Sequence, residues 1–222
     1  DYTIRANRFY LEKMRWNSPD HPFYGYFMDQ TVGGKQRQCF LWSQPYNVES
    51  LLSEYPLTED QAVKEALLLN FEKVYSGLMW NDQANRWYWR SVVDPQTTPP
   101  RLIWKDDLNT FDACEFGIDV MLNAYAFTGN KKYLDRAVEA MNNQLQVLEN
   151  YGLLLEDHAG EPSVNVYAFA AKELYRLFDY TGEEKWRENA TKILDAMLMS
   201  FIHMDNYQAE DGWLKGGVAR KD

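Results

Sequence analysis

Cysteine is scarce. Cys39 and Cys114 are the only two in 222 residues, both lie among apolar neighbours, and neither belongs to a CxxC pair. Two buried thiols are therefore the preferred reading over a disulfide. With only three histidines, His21, His158 and His203, nothing supports a structural zinc site; neither a metal nor a cofactor is expected. Positive charge is also short, 23 Lys and Arg against 33 Asp and Glu, for a net charge of −10. Such a surface argues against nucleic acid as a partner, because phosphates reward a basic face, and against docking on an anionic membrane. No apolar run approaches the roughly 20 residues that span a bilayer. GxGxxG, P-loop and GxSxG motifs are all missing, so nucleotide binding and serine-hydrolase chemistry have no support; Gly33-Gly34 and Gly216-Gly217 read as turn glycines. The chain begins at Asp1 without Met, as a processed precursor or a trimmed chain would. Location stays open, with an extracytoplasmic one (secreted or periplasmic) favoured for a soluble protein.

What the chain does have is aromatic residues and an internal repeat. Residues 104–201 carry one helical hairpin written twice. Placing Thr128-Gly129 on Thr181-Gly182 also lays Lys132 on Lys185, Tyr133 on Trp186, Ala137 on Ala190, Phe116 on Phe169 and Met121 on Leu174. Each copy reads as a helix, a Thr-Gly stop, a short turn and a second helix. Between them runs YGLLLEDHAGEPS, Tyr151 to Ser163, the most carboxylate-dense loop in the chain.

Ahead of the repeat, Ile4, Phe9, Leu11, Met14 and Trp16 recur at helical spacing, and Asn17-Ser18-Pro19 ends that helix. The segment around Gly33-Gly34 predicts a small hairpin or an ordered loop. Cys39 to Tyr55 reads as a helix interrupted or started near Pro45, with Pro56 separating it from the next, which Thr58 and Gln61 would open as a capping box. Phe9, Met14, Leu67, Phe71, Met121, Leu174 and Ile193 are the expected core. Residues 79–107 break the helical pattern; Trp87, Tyr88 and Trp89 followed by Val92-Val93 suggest a short strand pair within a long aromatic loop. The whole is therefore expected to be all-α with minor β, a single domain over 1–222 of antiparallel hairpins in a small or incomplete (α/α) barrel, either complete or part of a longer chain. Short Thr-Gly turns would gather at one end and long loops at the other.

The helix–TGxxKYLxxA–helix units, Thr128 to Ala137 and Thr181 to Ala190, resemble the repeats of (α/α) barrel carbohydrate-active enzymes: six-hairpin glycosidases, N-acylglucosamine 2-epimerase-like isomerases, toroidal polysaccharide lyases and glucuronyl C5-epimerases. The segment WKDDLNTFDACEFGIDVMLNAYAFTGNKKYL is similar to the Asp-Asp segment of α-1,6-mannanase-like hydrolases, a resemblance that makes Asp106 and Asp107 catalytic. GLLLEDHAGEPSVNVYAFAAKELYRLFDYTG resembles a run in glucuronyl C5-epimerases. An oligo- or polysaccharide partner is what these resemblances imply.

The residues themselves leave several roles open. Asp106-Asp107 precedes a helix and serves either as N-terminal charge on the helix dipole or as acid/base or nucleophile beside a sugar-stacking Trp104. Glu156, Asp157, His158 and Glu161 form either a solvated acidic loop or a proton donor, a base and a group that tunes them. Hydrolysis needs two carboxyl groups roughly 5–5.5 Å apart for retention or roughly 6.5–9.5 Å for inversion, so one from Asp106/Asp107 facing one from Glu156/Asp157 is the expected pair. An epimerase would use Tyr151, His158 or Tyr167 instead. Trp80, Trp87, Trp89, Trp104 and Trp213 fall outside the helical pattern and are expected to offer faces to sugar rings. Glycoside hydrolysis leads; a uronate epimerase or lyase on the same scaffold, and a non-catalytic glycan-binding module, are the alternatives.

Overall fold

The computed structural model describes residues 2–27, 38–94, 101–107, 113–151 and 164–201. Helix α1 (Tyr2–Lys13) is followed by strand β1 (Gln38–Phe40), a 3₁₀ turn (Leu41–Ser43), α2 (Pro45–Thr58), and α3 (Gln61–Leu69), which widens into a π-helical stretch over Asn70–Leu78. A small antiparallel sheet follows, with β2 (Trp80–Asn81), β3 (Arg86–Asp94) and β4 (Arg101–Asp107). The chain resumes in a π turn (Cys114–Ile118) and continues through α4 (Asp119–Thr128), α5 (Lys131–Tyr151), α6 (Val164–Thr181) and α7 (Glu184–Phe201). The all-α hairpin architecture with minor β is as the sequence predicts. Helices α4 with α5 and α6 with α7 form the two repeated hairpins, and α4 packs against both α2 and α6.

The repeat is physical as well as textual. Gly129 (φ 68°) and Gly182 (φ 70°) both end their helices in the left-handed conformation, where a missing Cβ removes the steric cost. Each donates its N–H to the carbonyl four residues back, Tyr125 and Phe178, at 2.8 Å. Thr128 and Thr181 bond back to Ala124 O at 2.6 Å and Leu177 O at 2.8 Å, and each hydroxyl also accepts the N–H two residues on. Tyr133 and Trp186, at matching places in the returning helices, are both buried.

A third copy, which sequence comparison misses, closes α2. Glu59 takes the left-handed position (φ 50°) and donates to Tyr55 O at 2.8 Å. Thr58 bonds back to Glu54 O at 3.3 Å and accepts from Asp60 N at 3.3 Å. This corrects the expected capping box. Helix α2 runs through Pro56 to Thr58, since a proline in the last turn removes only one backbone donor. Asp60, not Thr58, caps α3, its Oδ1 accepting from Ala62 N at 2.7 Å.

Helix α1 docks through a polar contact. Asn7 is buried and donates to Glu54 Oε2 at 2.7 Å and to Ser50 O at 3.2 Å. That face buries Asn7 and Leu11 and turns Phe9 outward, 55% exposed, so Phe9 is not core. Gln44 clamps the turn before it onto the bundle, accepting from Phe27 N and Asn70 Nδ2, each at 3.0 Å, and donating to Phe27 O at 2.9 Å.

In the sheet, β3 pairs with all three other strands. Residues Gln38 to Phe40 lie opposite Val92 to Arg90, and Trp80 lies opposite Trp87. Irregularities between Tyr88 and Arg90 and between Val92 and Val93 bend β3 against β4. The long aromatic stretch is therefore mostly a ladder.

Glu59 is exposed and carries a left-handed strain that glycine would not feel. Glu59→Gly is expected to stabilise the protein by about 1 kcal/mol in urea melts. Gly129→Ala and Gly182→Ala, where an added Cβ meets nothing within 4 Å, should each destabilise by about 1 kcal/mol, through backbone strain alone.

Candidate functional site

The ends of α2, α4 and α6 opposite the left-handed turns face the sheet side of the molecule. There the 3₁₀ turn before α2, the sheet and the π turn before α4 meet. Trp87 sets this junction. Its indole is fully buried, and Nε1 donates to Tyr75 O at 3.1 Å, in the π-helical end of α3. A Cβ on Gly117 would stand 2.4 Å from the same indole, so the ring lies directly on the backbone of the second π turn. Trp80 packs edge-on against Trp87 with centroids 4.7 Å apart, and the Arg136 guanidinium covers its ring at 4.3 Å.

Counting back from the left-handed residue of each hairpin, Glu49, Asp119 and Lys172 occupy the same place in α2, α4 and α6. Ser53, Asn123 and Arg176 share the next place along. The matched positions meet as a charged cluster. Lys172 Nζ donates to Asp119 Oδ1 at 2.7 Å and Arg176 Nη1 to the same oxygen at 2.8 Å. Arg176 also reaches Glu173 Oε2 at 2.9 Å and Asn123 Oδ1 at 2.7 Å. Glu173 is 0% exposed; Lys172 Nζ stands 3.1 Å from its Oε1, which makes no hydrogen bond.

Burial pushes the Glu173 carboxyl up to about 7, with the neighbouring Asp119 adding to the rise and Arg176 and Lys172 opposing it. Burial, then Asp119, also raises Glu49. Burial alone would lower Lys172, but its bonds to Asp119 and Glu173 outweigh that and raise it. The network thus raises the titration of one buried carboxyl group toward neutrality beside charged partners.

The π turn changes the register above this cluster. Its extra residue per turn brings Glu115 toward α2, where Tyr46 Oη donates to Glu115 Oε1 at 3.4 Å. Tyr46 is 59% exposed; partial burial, then Glu115, raises its hydroxyl. Phe169 is half-buried one turn before Lys172, whose Nζ lies 5.4 Å from its ring centroid.

The residues singled out from sequence divide three ways. Trp80, Trp87 and Tyr167 are core residues, 4%, 0% and 4% exposed, so none of the three presents a face to a sugar; the two indoles are needed to seat the sheet on the helices. Asp106 and Asp107 close β4, opposite Arg90 and Tyr88, while Trp104 lies opposite Val92 and Trp89 sits at the irregularity between Tyr88 and Arg90. Tyr151 ends α5. Glu156, Asp157, His158, Glu161 and Trp213 lie outside the described residues. Sequence reasoning missed Tyr46, Glu49, Glu115, Asp119, Lys172, Glu173 and Arg176. The pairing of Asp119 with Lys172 was visible in the aligned repeats, but as a mismatch of charge it carried no signal. Among the described residues, no group of three His, Cys, Asp or Glu is placed to hold a metal ion, and no helix is long and apolar enough to cross a membrane.

Because Glu173 holds its proton more tightly folded than unfolded, its contribution to stability is full below about pH 4.5 and is lost as the pH rises through about 7. Urea melts across that window should show the wild type losing stability relative to Glu173→Gln; parallel pH profiles would mean that Glu173 titrates normally. Gly117→Ala forces Trp87 to move and is expected to destabilise by about 1–3 kcal/mol.

The sequence matches no protein-family model and no curated protein. The fold does match solved structures. The unsaturated glucuronyl hydrolase from Bacillus sp. GL1 superposes with a TM-score of 0.65 at 15% identity, covering 97% of this chain and 59% of that one. A family 76 glycoside hydrolase from a bovine Bacteroides thetaiotaomicron strain gives 0.62 at 10% identity, covering 85% and 40%. Cellobiose 2-epimerase from Spirochaeta thermophila gives 0.60 at 16% identity, covering 88% and 50%. The chain thus spans 40–59% of the length of these three structures, and its hairpins have the (α/α) barrel fold.

Proposed function

We propose that this chain is the hairpin scaffold of a carbohydrate-active enzyme whose reaction is glycoside hydrolysis. The observation that carries the reading is the cluster of carboxyl groups that Asp119 and Glu173 form with Lys172 and Arg176 between the aligned helices, with Glu115 on the adjoining π turn. Strand β4 ends at Asp106 and Asp107, and the chain then runs on to the π turn that bears Glu115. Hydrolysis requires a proton donor and an ionised partner across the glycosidic bond. A scaffold that raises carboxyl groups by burial, as this one does for Glu49 and Glu173, is the environment a proton donor needs. The fold shared with glycoside hydrolases supports the same reading.

In this reading Asp107 and Glu156 are the pair, with Asp106, Asp157 and His158 beside them, and Trp89, Trp104 and Trp213 are the remaining stacking candidates. The substrate is an oligo- or polysaccharide. Asp107→Asn and Glu156→Gln should each abolish release of new reducing ends from a glycan panel while leaving the melting temperature within a few degrees of wild type. A 4,5-unsaturated chromophore would instead indicate a lyase, and solvent deuterium at C5 without cleavage an epimerase. Full turnover in both variants would remove these residues from the mechanism.

A further inference from the structure

The three left-handed turns also fix how each hairpin meets the next. In each, the residue whose carbonyl accepts the left-handed N–H is aromatic: Tyr55 in α2, Tyr125 in α4 and Phe178 in α6. The residue two further on is aliphatic or aromatic: Leu57, Phe127 and Tyr180. The two positions interlock from helix to helix. Tyr55 stands edge-on to Phe127 with ring centroids 5.3 Å apart, and Tyr125 stands edge-on to Tyr180 at 5.1 Å. One step of this ladder joins α2 to α4, and an equal step, one repeat on, joins α4 to α6. Both have the T-shaped geometry that aromatic pairs favour.

Both ends of the ladder are open. On α6, no ring meets Phe178 among the described residues; the Arg187 guanidinium, from the same hairpin, lies 5.1 Å from its ring centroid. Tyr175, one turn earlier, is 36% exposed, whereas its counterpart in α4, Leu122, is fully buried. On α2, Leu57 is 80% exposed. Helix α1 docks on the same stripe of α2, at Ser50 and Glu54, yet leaves Leu57 uncovered. Repeat arrays that end in water carry polar outer faces, and uncovered aromatic and aliphatic side chains together mark a contact surface. The two ends differ, and each matches the other. The α6 end offers the ring that every step of the ladder supplies, and α2 offers the side chain that every step receives.

We propose that a second copy of this chain docks head to tail, its Leu57 entering the step that Phe178 and Tyr175 leave open on α6, so that the ladder within the chain continues between chains. Such a contact is heterologous, with different surfaces on the two molecules, and it does not depend on which reaction the protein catalyses. Sedimentation velocity over a concentration series tests it with wild type, Leu57→Asp, Tyr175→Asp and an equimolar mixture of the two variants. The average mass of wild type is expected to rise with concentration. Each variant alone should associate about tenfold or more weakly, because every self-contact then includes one charged end. The mixture should form a one-to-one complex, since Leu57→Asp keeps an intact α6 end and Tyr175→Asp keeps an intact Leu57 end. Melting temperatures check that both variants fold; should Tyr175→Asp fail, Phe178→Ala at the same end takes its place. Wild type that stays monomeric throughout, association that neither variant weakens, or a mixture as monomeric as its components would overturn the proposal.

Discussion

The architecture depends on one buried indole. Trp87 bonds through Nε1 to Tyr75 O and lays its ring on Gly117, so a single side chain bridges the sheet, the widened end of α3 and the π turn before α4. Both helical partners are π-helical where it touches them. A π turn opens the backbone relative to an α turn, leaving room for a carbonyl to accept from outside the helix in one case and for a ring to approach the chain in the other. The unoccupied alternative is costly, since burying an indole N–H without a partner forfeits about 1–3 kcal/mol. Everything above the cluster follows from this wedge. The α4 register is shifted, Glu115 meets Tyr46, and the sheet is held where its last strand runs toward α4.

The repeats show how far sequence can be trusted and why it stops. Two hairpins were legible because glycine is the residue that left-handed geometry prefers, and Thr-Gly is easy to find twice. The third was not, because Glu59 occupies the same backbone state with no compositional mark. Threonine bonding back to the helix is the shared device in all three turns, and its hydroxyl works equally well before Gly or Glu. Pro56 misled for a related reason: a proline near a helix end removes a donor whose loss costs little, so it marks the last turn and not the break.

The site was less legible than the fold. Tryptophan outside a helical pattern suggests a surface platform, yet Trp80 and Trp87 are core because the β2–β3 pairing sets the two rings against each other on the buried side of the sheet. Phe9 failed in the opposite sense: the buried face of α1 is chosen by Asn7, whose amide finds Glu54 and Ser50, and this turns Phe9 away. The polar cluster had no linear signature at all. Glu49, Asp119 and Lys172 are far apart in the chain and become neighbours only when three helices align, and the π turn that recruits Glu115 is invisible to a periodicity fixed at 3.6 residues.

The buried network raises a last question of what it is for. Removing charged groups from water costs several kcal/mol per ion, and a well-packed apolar cluster would usually do as well or better for stability. Glu173 makes the cost visible: it keeps its proton to about 7 because burial outweighs two nearby cations. What apolar residues would not supply is register. Arg176 reaches Asp119, Glu173 and Asn123 at once, and a guanidinium fork fits only when α6 sits at one height and one rotation against α4. Helices packed through alanines and leucines tolerate small slides, whereas this contact does not. The same contact sets the height of Phe169 and Lys172 relative to Glu115, so the polar cost falls on the pair of helices whose relative position decides the geometry of the face above them.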